Sequence, residues 1–155
     1  KPHGELYHHC ISNPDVAAIV LEVASRFEQE RGRSLALLCM PGSLLLSEGS
    51  RLGFSTAGEA FADRGYSGDG RLVPRSGAGA LITDPLEALT RLDRLLRDDE
   101  IVAIDGSSIV VQARSICIHG DTPGAVVMAR RIRAAFDADR VRLTPFAPPP
   151  ARQVG

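Results

Sequence analysis

A chain of 155 residues, 44% of them hydrophobic, is long enough for one domain with a substantial buried core. Its formal net charge of −1 and scattered basic residues provide no field that would gather nucleic acid, and its apolar runs fall well short of the ~20 residues that cross a membrane. Cys10, Cys39 and Cys117 are odd in number, far apart and mostly set in apolar surroundings, so buried thiols in a reducing, cytoplasmic compartment are expected rather than a disulfide framework.

In chain order, Lys1 to Tyr7 reads as a polar, turn-rich segment leaving a strand, with Lys1, His3 and Tyr7 close together. His8, His9 and Cys10 are expected to form an exposed terminal cluster, since adjacent residues rarely turn towards one metal ion. Asn13 caps a helix with Pro14 at its first position, and Val16, Ile19, Val20, Val23, Ala24 and Phe27 give it an apolar face up to Gly32. The apolar run Ser34 to Met40 is the length of a buried strand. A short helix follows from Leu44 to Leu52, with Gly53 as its stop.

Phe54 to Phe61 reads as a second strand, which delivers Glu59, Asp63, Arg64 and Tyr66 towards a long glycine-rich loop from Ala62 to Ala80. Loops of this length in compact domains are functional or mobile. Backbone amides beside Arg64, Arg71 and Arg75 suit a phosphate or carboxylate, although a flexible surface loop is the more common outcome and no P-loop pattern is present. If Arg64 and Arg75 bind an anion, replacing either should leave stability within about 0.5 kcal/mol. Asp84, Pro85 and Glu87 open a helix whose buried stripe is read as Leu86, Leu89, Leu92 and Leu96. Two short strands flank Asp105 and Gly106, and a last strand is expected over Val141 to Thr144, ahead of a Pro-rich tail at 146–155.

The segment SICIHGDTP, Ser115 to Pro123, joins a buried strand at Ile116 to Ile118 directly to a helix. Thr122 has the chemistry of an N-cap and Pro123 that of a first helical residue, which leaves His119 and Asp121 at the C-terminal end of the strand. Ligands of parallel α/β proteins bind at such strand ends. A catalytic pair and a simple cap beside a hydrogen-bonded histidine fit this spacing equally well.

SICIHGDTPGAV resembles the C-terminal signature of the LamB/YcsF family, which includes the A subunit of bacterial ATP-dependent 5-oxoprolinase; KPHGELY and EAFADRGYSGDGRLVPR resemble further segments of it in the same order. Strands alternating with helices argue for a parallel α/β architecture. The resemblance narrows this to a partial, distorted (β/α) barrel of the glycoside hydrolase/deacetylase type, with residues 1–145 as the C-terminal portion of one domain whose N-terminal strands are missing. That portion is roughly three-fifths of a typical barrel of about 250 residues.

The activity implied by the resemblance is hydrolysis of 5-oxo-L-proline to L-glutamate with ATP cleavage, with ATP and Mg2+ as cofactor and B and C subunits as partners. It makes His119, Asp121, Asp63 and His3 the candidates for proton transfer, and Lys1, Arg64, Arg75 and Glu59 the candidates for binding substrate or phosphate, with no protein-bound metal. The alternatives are a metal-dependent deacetylase or amidohydrolase of similar fold, and a non-catalytic scaffold subunit. His119 and Asp121 are expected to act as one acid–base unit.

Overall fold

The computed structural model describes residues 1–146, which have a mixed α/β architecture. They divide into two compact units, the first built from residues 1–59 and 113–115 and the second from 60–112 and 116–144. The central strand β2, Ser55–Phe61, runs from the first unit into the second. Its last five residues are buried, as expected of a strand covered on both faces.

In the first unit, helix α1 (Glu5–Ser12) leads into α2 (Pro14–Arg31) through Asn13, whose side chain accepts from the amides of Asp15 and Val16. Gly32, at φ 59°, ends α2 in the left-handed conformation that favours glycine. Strand β1 (Ala36–Cys39) pairs in parallel with β2, Ala36 opposite Ser55 and Cys39 opposite Gly58. Between them runs α3 (Leu44–Arg51), capped by the Ser43 hydroxyl. Cys10, Leu21, Leu37, Cys39, Leu45 and Phe54 form the core of this unit. Burial raises the Cys10 thiol pKa and pushes that of Cys39 up to about 11, which makes both poor thiolates at neutral pH.

Three expectations are corrected here. Residues 5–12 form a helix rather than a turn-rich segment, and Cys10 is buried on it, while His8 and His9 are exposed. The inward face of α2 is Ala17, Leu21 and Ala24, whereas Ile19 and Val23 are 61% and 64% exposed, because small residues allow the closest approach to the neighbouring helices.

In the second unit, α4 (Pro85–Asp98) is capped by Asp84 and packs on both β3 (Glu100–Val102) and α5 (Ala125–Ala138). Its buried residues are Ala88, Leu92 and Leu95, while Leu86 and Leu96 of the expected stripe are exposed. Strand β3 pairs antiparallel with β4 (Ser108–Val110), with Ile101 opposite Ile109. Strand β5, Ser115–Cys117, completes the sheet order β1-β2-β5, and the Ala62 amide donates to the Cys117 carbonyl at 3.0 Å. It is half-buried rather than fully buried. Residues 141–144 carry no strand and are mostly exposed, and the tail expected at 146–155 lies, beyond its first residue, outside the described residues.

The long loop after β2 is knitted rather than slack. Its main chain folds back through antiparallel bridges between Arg64 and Leu81 and between Tyr66 and Leu72. Arg64, only 4% exposed, ties it together: its Nε donates to the Ala80 carbonyl at 3.1 Å and its Nη2 to the Val73 carbonyl at 2.7 Å. The carbonyl of Arg64 in turn accepts from Arg91 Nη1 at 2.6 Å, and the Arg91 guanidinium lies over the Tyr66 ring. Burial depresses the pKa of both guanidinium groups. Gly65 is required by the same closure, since a Cβ there would sit 2.0 Å from the Gly79 carbonyl oxygen.

Two outcomes are expected in denaturant unfolding. Gly65→Ala should destabilise by about 2 kcal/mol or more, because the obstacle is main chain and cannot rotate away. Arg64→Ala should cost roughly 1–3 kcal/mol, since it strands the Val73 carbonyl and removes one of the two donors to the Ala80 carbonyl, and Arg64→Lys should not restore the loss because one ammonium cannot span both acceptors. A loss below about 0.5 kcal/mol for Arg64→Ala would return that residue to the free anion binders.

Candidate active site

The second unit gathers His119, Asp63, Asp121 and Arg75 around the end of β5. Asp63 follows β2 by two residues and its side chain is fully buried. A carboxylate in that position needs donors, and among the described residues they come from residues 119–122. The His119 amide donates to Oδ2 at 2.8 Å and the Thr122 hydroxyl donates to the same oxygen at 2.6 Å. The His119 ring presents Nδ1 at 3.0 Å from Oδ1 and 3.2 Å from Oδ2.

This geometry assigns the tautomer. A carboxylate engaged by an amide and a hydroxyl is an acceptor, so the ring nitrogen facing it carries hydrogen, and Nε2 is the nitrogen with an available lone pair. The ring is stacked on Phe61 at 5.5 Å between centroids and 11° between planes, and its side chain is 24% exposed. The pair is thus a buried acceptor, a clamped imidazole and a nitrogen facing away from the acceptor, which is the arrangement of a proton-transfer group.

His119 lies at the end of β5 as expected, but the carboxylate beside its ring is Asp63, not Asp121. Asp121 is exposed and accepts from Arg75 Nη1 at 2.9 Å, and that hydrogen bond holds its carboxyl below the usual carboxylate range. Thr122 does not cap α5. The helix starts at Ala125 after Gly124, at φ 77°, because the Thr122 hydroxyl is engaged by Asp63. Arg64 is beside the pair in sequence, but its guanidinium faces the carbonyls of its own loop.

In the first unit, Glu59 is buried and accepts from Lys1 Nζ at 2.6 Å and from the Tyr7 hydroxyl at 3.3 Å. The Lys1 ammonium also lies 5.8 Å from the Tyr7 ring centroid. Lys1 and Glu59 are therefore brought together as an ion pair, while His3 is exposed. Two contributors escaped the sequence reading: Phe61 and Thr122 acting through its hydroxyl. Only Phe61 carries a usable signal, its two-residue spacing from Asp63.

Comparison with known proteins gives this arrangement a context. The LamB/YcsF family matches residues 1–150. The chain is 40% identical over 147 residues to the 5-oxoprolinase A subunit of Kocuria rhizophila, covering 95% of this chain and 57% of that protein. It is 42% identical over 147 residues to the 5-oxoprolinase A subunit of Streptomyces griseus, with the same coverage. A crystal structure of the lactam utilization protein from Thermus thermophilus superposes with a TM-score of 0.79 at 33% identity, over 92% of this chain and 55% of that one. The chain spans a little over half the length of these relatives. With the family matched along nearly its whole length, the chain belongs to the LamB/YcsF family.

Proposed function

We propose that this chain is part of the A subunit of an ATP-dependent 5-oxoprolinase, which opens the lactam of 5-oxo-L-proline to L-glutamate together with B and C subunits. The observation that carries the reading is the buried Asp63 holding His119 with Nε2 directed away from it, in a chain 40% identical to a protein named as the A subunit of 5-oxoprolinase. The parallel pairing of β1 with β2 across α3 supports the further proposal that these strands belong to a distorted (β/α) barrel.

A lactam resists hydrolysis because its nitrogen shares electrons with the carbonyl. Phosphoryl transfer from ATP to the lactam oxygen removes that resonance and turns the oxygen into part of a leaving group. Water then attacks the ring carbon, the C–N bond opens, and phosphate departs as a second water completes the carboxylate. Protons must leave the attacking water and reach the ring nitrogen. His119 Nε2 suits both transfers, because an imidazole nitrogen can accept and return a proton and Asp63 holds the ring in one orientation from its other nitrogen.

Arg75, exposed and paired only at the surface with Asp121, suits a substrate carboxylate or phosphoryl oxygen. Mg2+ would enter with the ATP phosphates. Asp63 already has an amide, a hydroxyl and an imidazole as partners, and among the described residues no group of three His, Cys, Asp or Glu side chains converges as metal ligands.

The test is ATP-dependent glutamate release by the full-length chain assembled with its B and C subunits. His119→Gln and Asp63→Asn are each expected to lower kcat by roughly 10²- to 10⁴-fold, with a double variant far less than multiplicative because the two act as one unit. Near-normal turnover by His119→Gln would end the proposal. Arg75→Ala should raise KM for 5-oxo-L-proline or ATP roughly tenfold while kcat changes little, the pattern of lost uniform binding. The Arg75–Asp121 contact has its own pH signature. The Asp121 pKa is lowered in the folded chain, so the contact persists above the ordinary carboxylate range and is lost only as pH falls through the lowered value. Chemical-shift titration of the Asp121 carboxyl, compared with Arg75→Ala, reads this directly.

A further inference from the structure

We propose that Thr122 is a positioning residue that fixes the proton on His119 Nδ1 by holding the Asp63 carboxylate in one orientation. The inference rests on the acid–base role proposed for His119 and adds the group that sets its tautomer.

A carboxylate at the end of a short side chain rotates about its last bond, and each rotation offers the imidazole a different oxygen. At Asp63 that freedom is removed. Oδ2 accepts from two donors on different sides of one turn, the His119 amide at 2.8 Å and the Thr122 hydroxyl at 2.6 Å, which leaves Oδ1 as the nearer partner of Nδ1. The amide alone cannot do this. A single hydrogen bond leaves the carboxylate free to turn about it, whereas the Thr122 hydroxyl gives the same oxygen a second donor from three residues away.

Two further features show that the Thr122 contact is built rather than incidental. Thr122 is 4% exposed, in a turn whose neighbours Asp121 and Pro123 are exposed. The side chain is also withheld from its ordinary use: α5 starts on Gly124 with no side-chain cap, although a threonine sits two residues earlier. The Thr122 backbone is pinned on both sides, its amide donating to the His119 carbonyl at 3.3 Å and its carbonyl accepting from Ala125 at 3.0 Å. The hydroxyl is therefore delivered to Asp63 from a closed turn.

Imidazole nitrogen shifts, measured by long-range proton–nitrogen NMR on the 155-residue chain, test the proposal. In the wild type and in Thr122→Ser, His119 should be a single tautomer with hydrogen on Nδ1. In Thr122→Val, which keeps the shape and removes the hydroxyl, the two nitrogen shifts should move towards each other as the tautomers mix. The wild type alone supplies a second reading that needs no variant to fold: the Thr122 hydroxyl proton should be visible, slow to exchange with water, and close to Asp63.

A wild-type His119 with hydrogen on Nε2, a Thr122 hydroxyl proton in fast exchange, or a Thr122→Val spectrum with an unchanged tautomer would each overturn the inference. So would a Thr122→Ser spectrum that matches Thr122→Val. In the assembled enzyme Thr122→Val should lower kcat about tenfold or more with little change in KM, and Thr122→Ser should recover most of it. If His119→Gln leaves turnover intact while the tautomer still depends on Thr122, the acid–base reading fails and the positioning role stands.

Discussion

Burying a carboxylate without partners is among the costliest things a folded chain can do, and Asp63 is buried completely. The conformation of residues 119–122 follows from meeting that demand. His119 must present its amide and its ring to the same side chain, which forces the chain to turn immediately after β5. Thr122 must face inward, so α5 cannot begin on it and starts with a glycine in the left-handed region instead. The geometry of the candidate site and the local fold are here a single solution to one electrostatic problem.

Arginines in and beside the long loop divide by the same criterion. Arg64 is buried and Arg91, on α4, is half-buried, and both donate to main-chain carbonyls of the loop, so their charge is used to close its backbone. Arg75 stays at the surface, where an ion pair is weak and readily exchanged for another anion. A loop with one arginine locked inside and another outside keeps its shape while leaving a charge available.

Much of this was legible in the amino-acid order. The caps Asn13 and Asp84 and the strand that leads to His119 follow from local chemistry, and local chemistry survives folding. Helix α1 was not legible because only Tyr7 and Cys10 of its eight residues are buried, too few to establish a period. The faces of α2 and α4 were misjudged in part by weighting large apolar residues, whereas close packing turned Ala17 and Ala88 inward. Thr122 was read as a cap because a threonine before a proline is one by local rules, and a buried acceptor 59 residues away outcompeted them. Asp63 and Asp121 could not be ranked as partners of His119 for the same reason, since proximity in sequence favoured the wrong one. The resemblance to the LamB/YcsF family singled out Asp63 and Arg64 together, where spacing singled out neither.

Arg64 and Asp63 are neighbours in the chain, yet their contacts close on different clocks. Arg64 reaches carbonyls 9 and 16 residues ahead, while Asp63 waits for donors 56 and 59 residues ahead. Closing the longer span costs about 1.1 kcal/mol more chain entropy than closing the 16-residue one, before any intervening structure forms. The loop around Arg64 is therefore the cheaper closure of the two. Only the longer one, which brings residues 119–122 to Asp63, takes that carboxylate out of water.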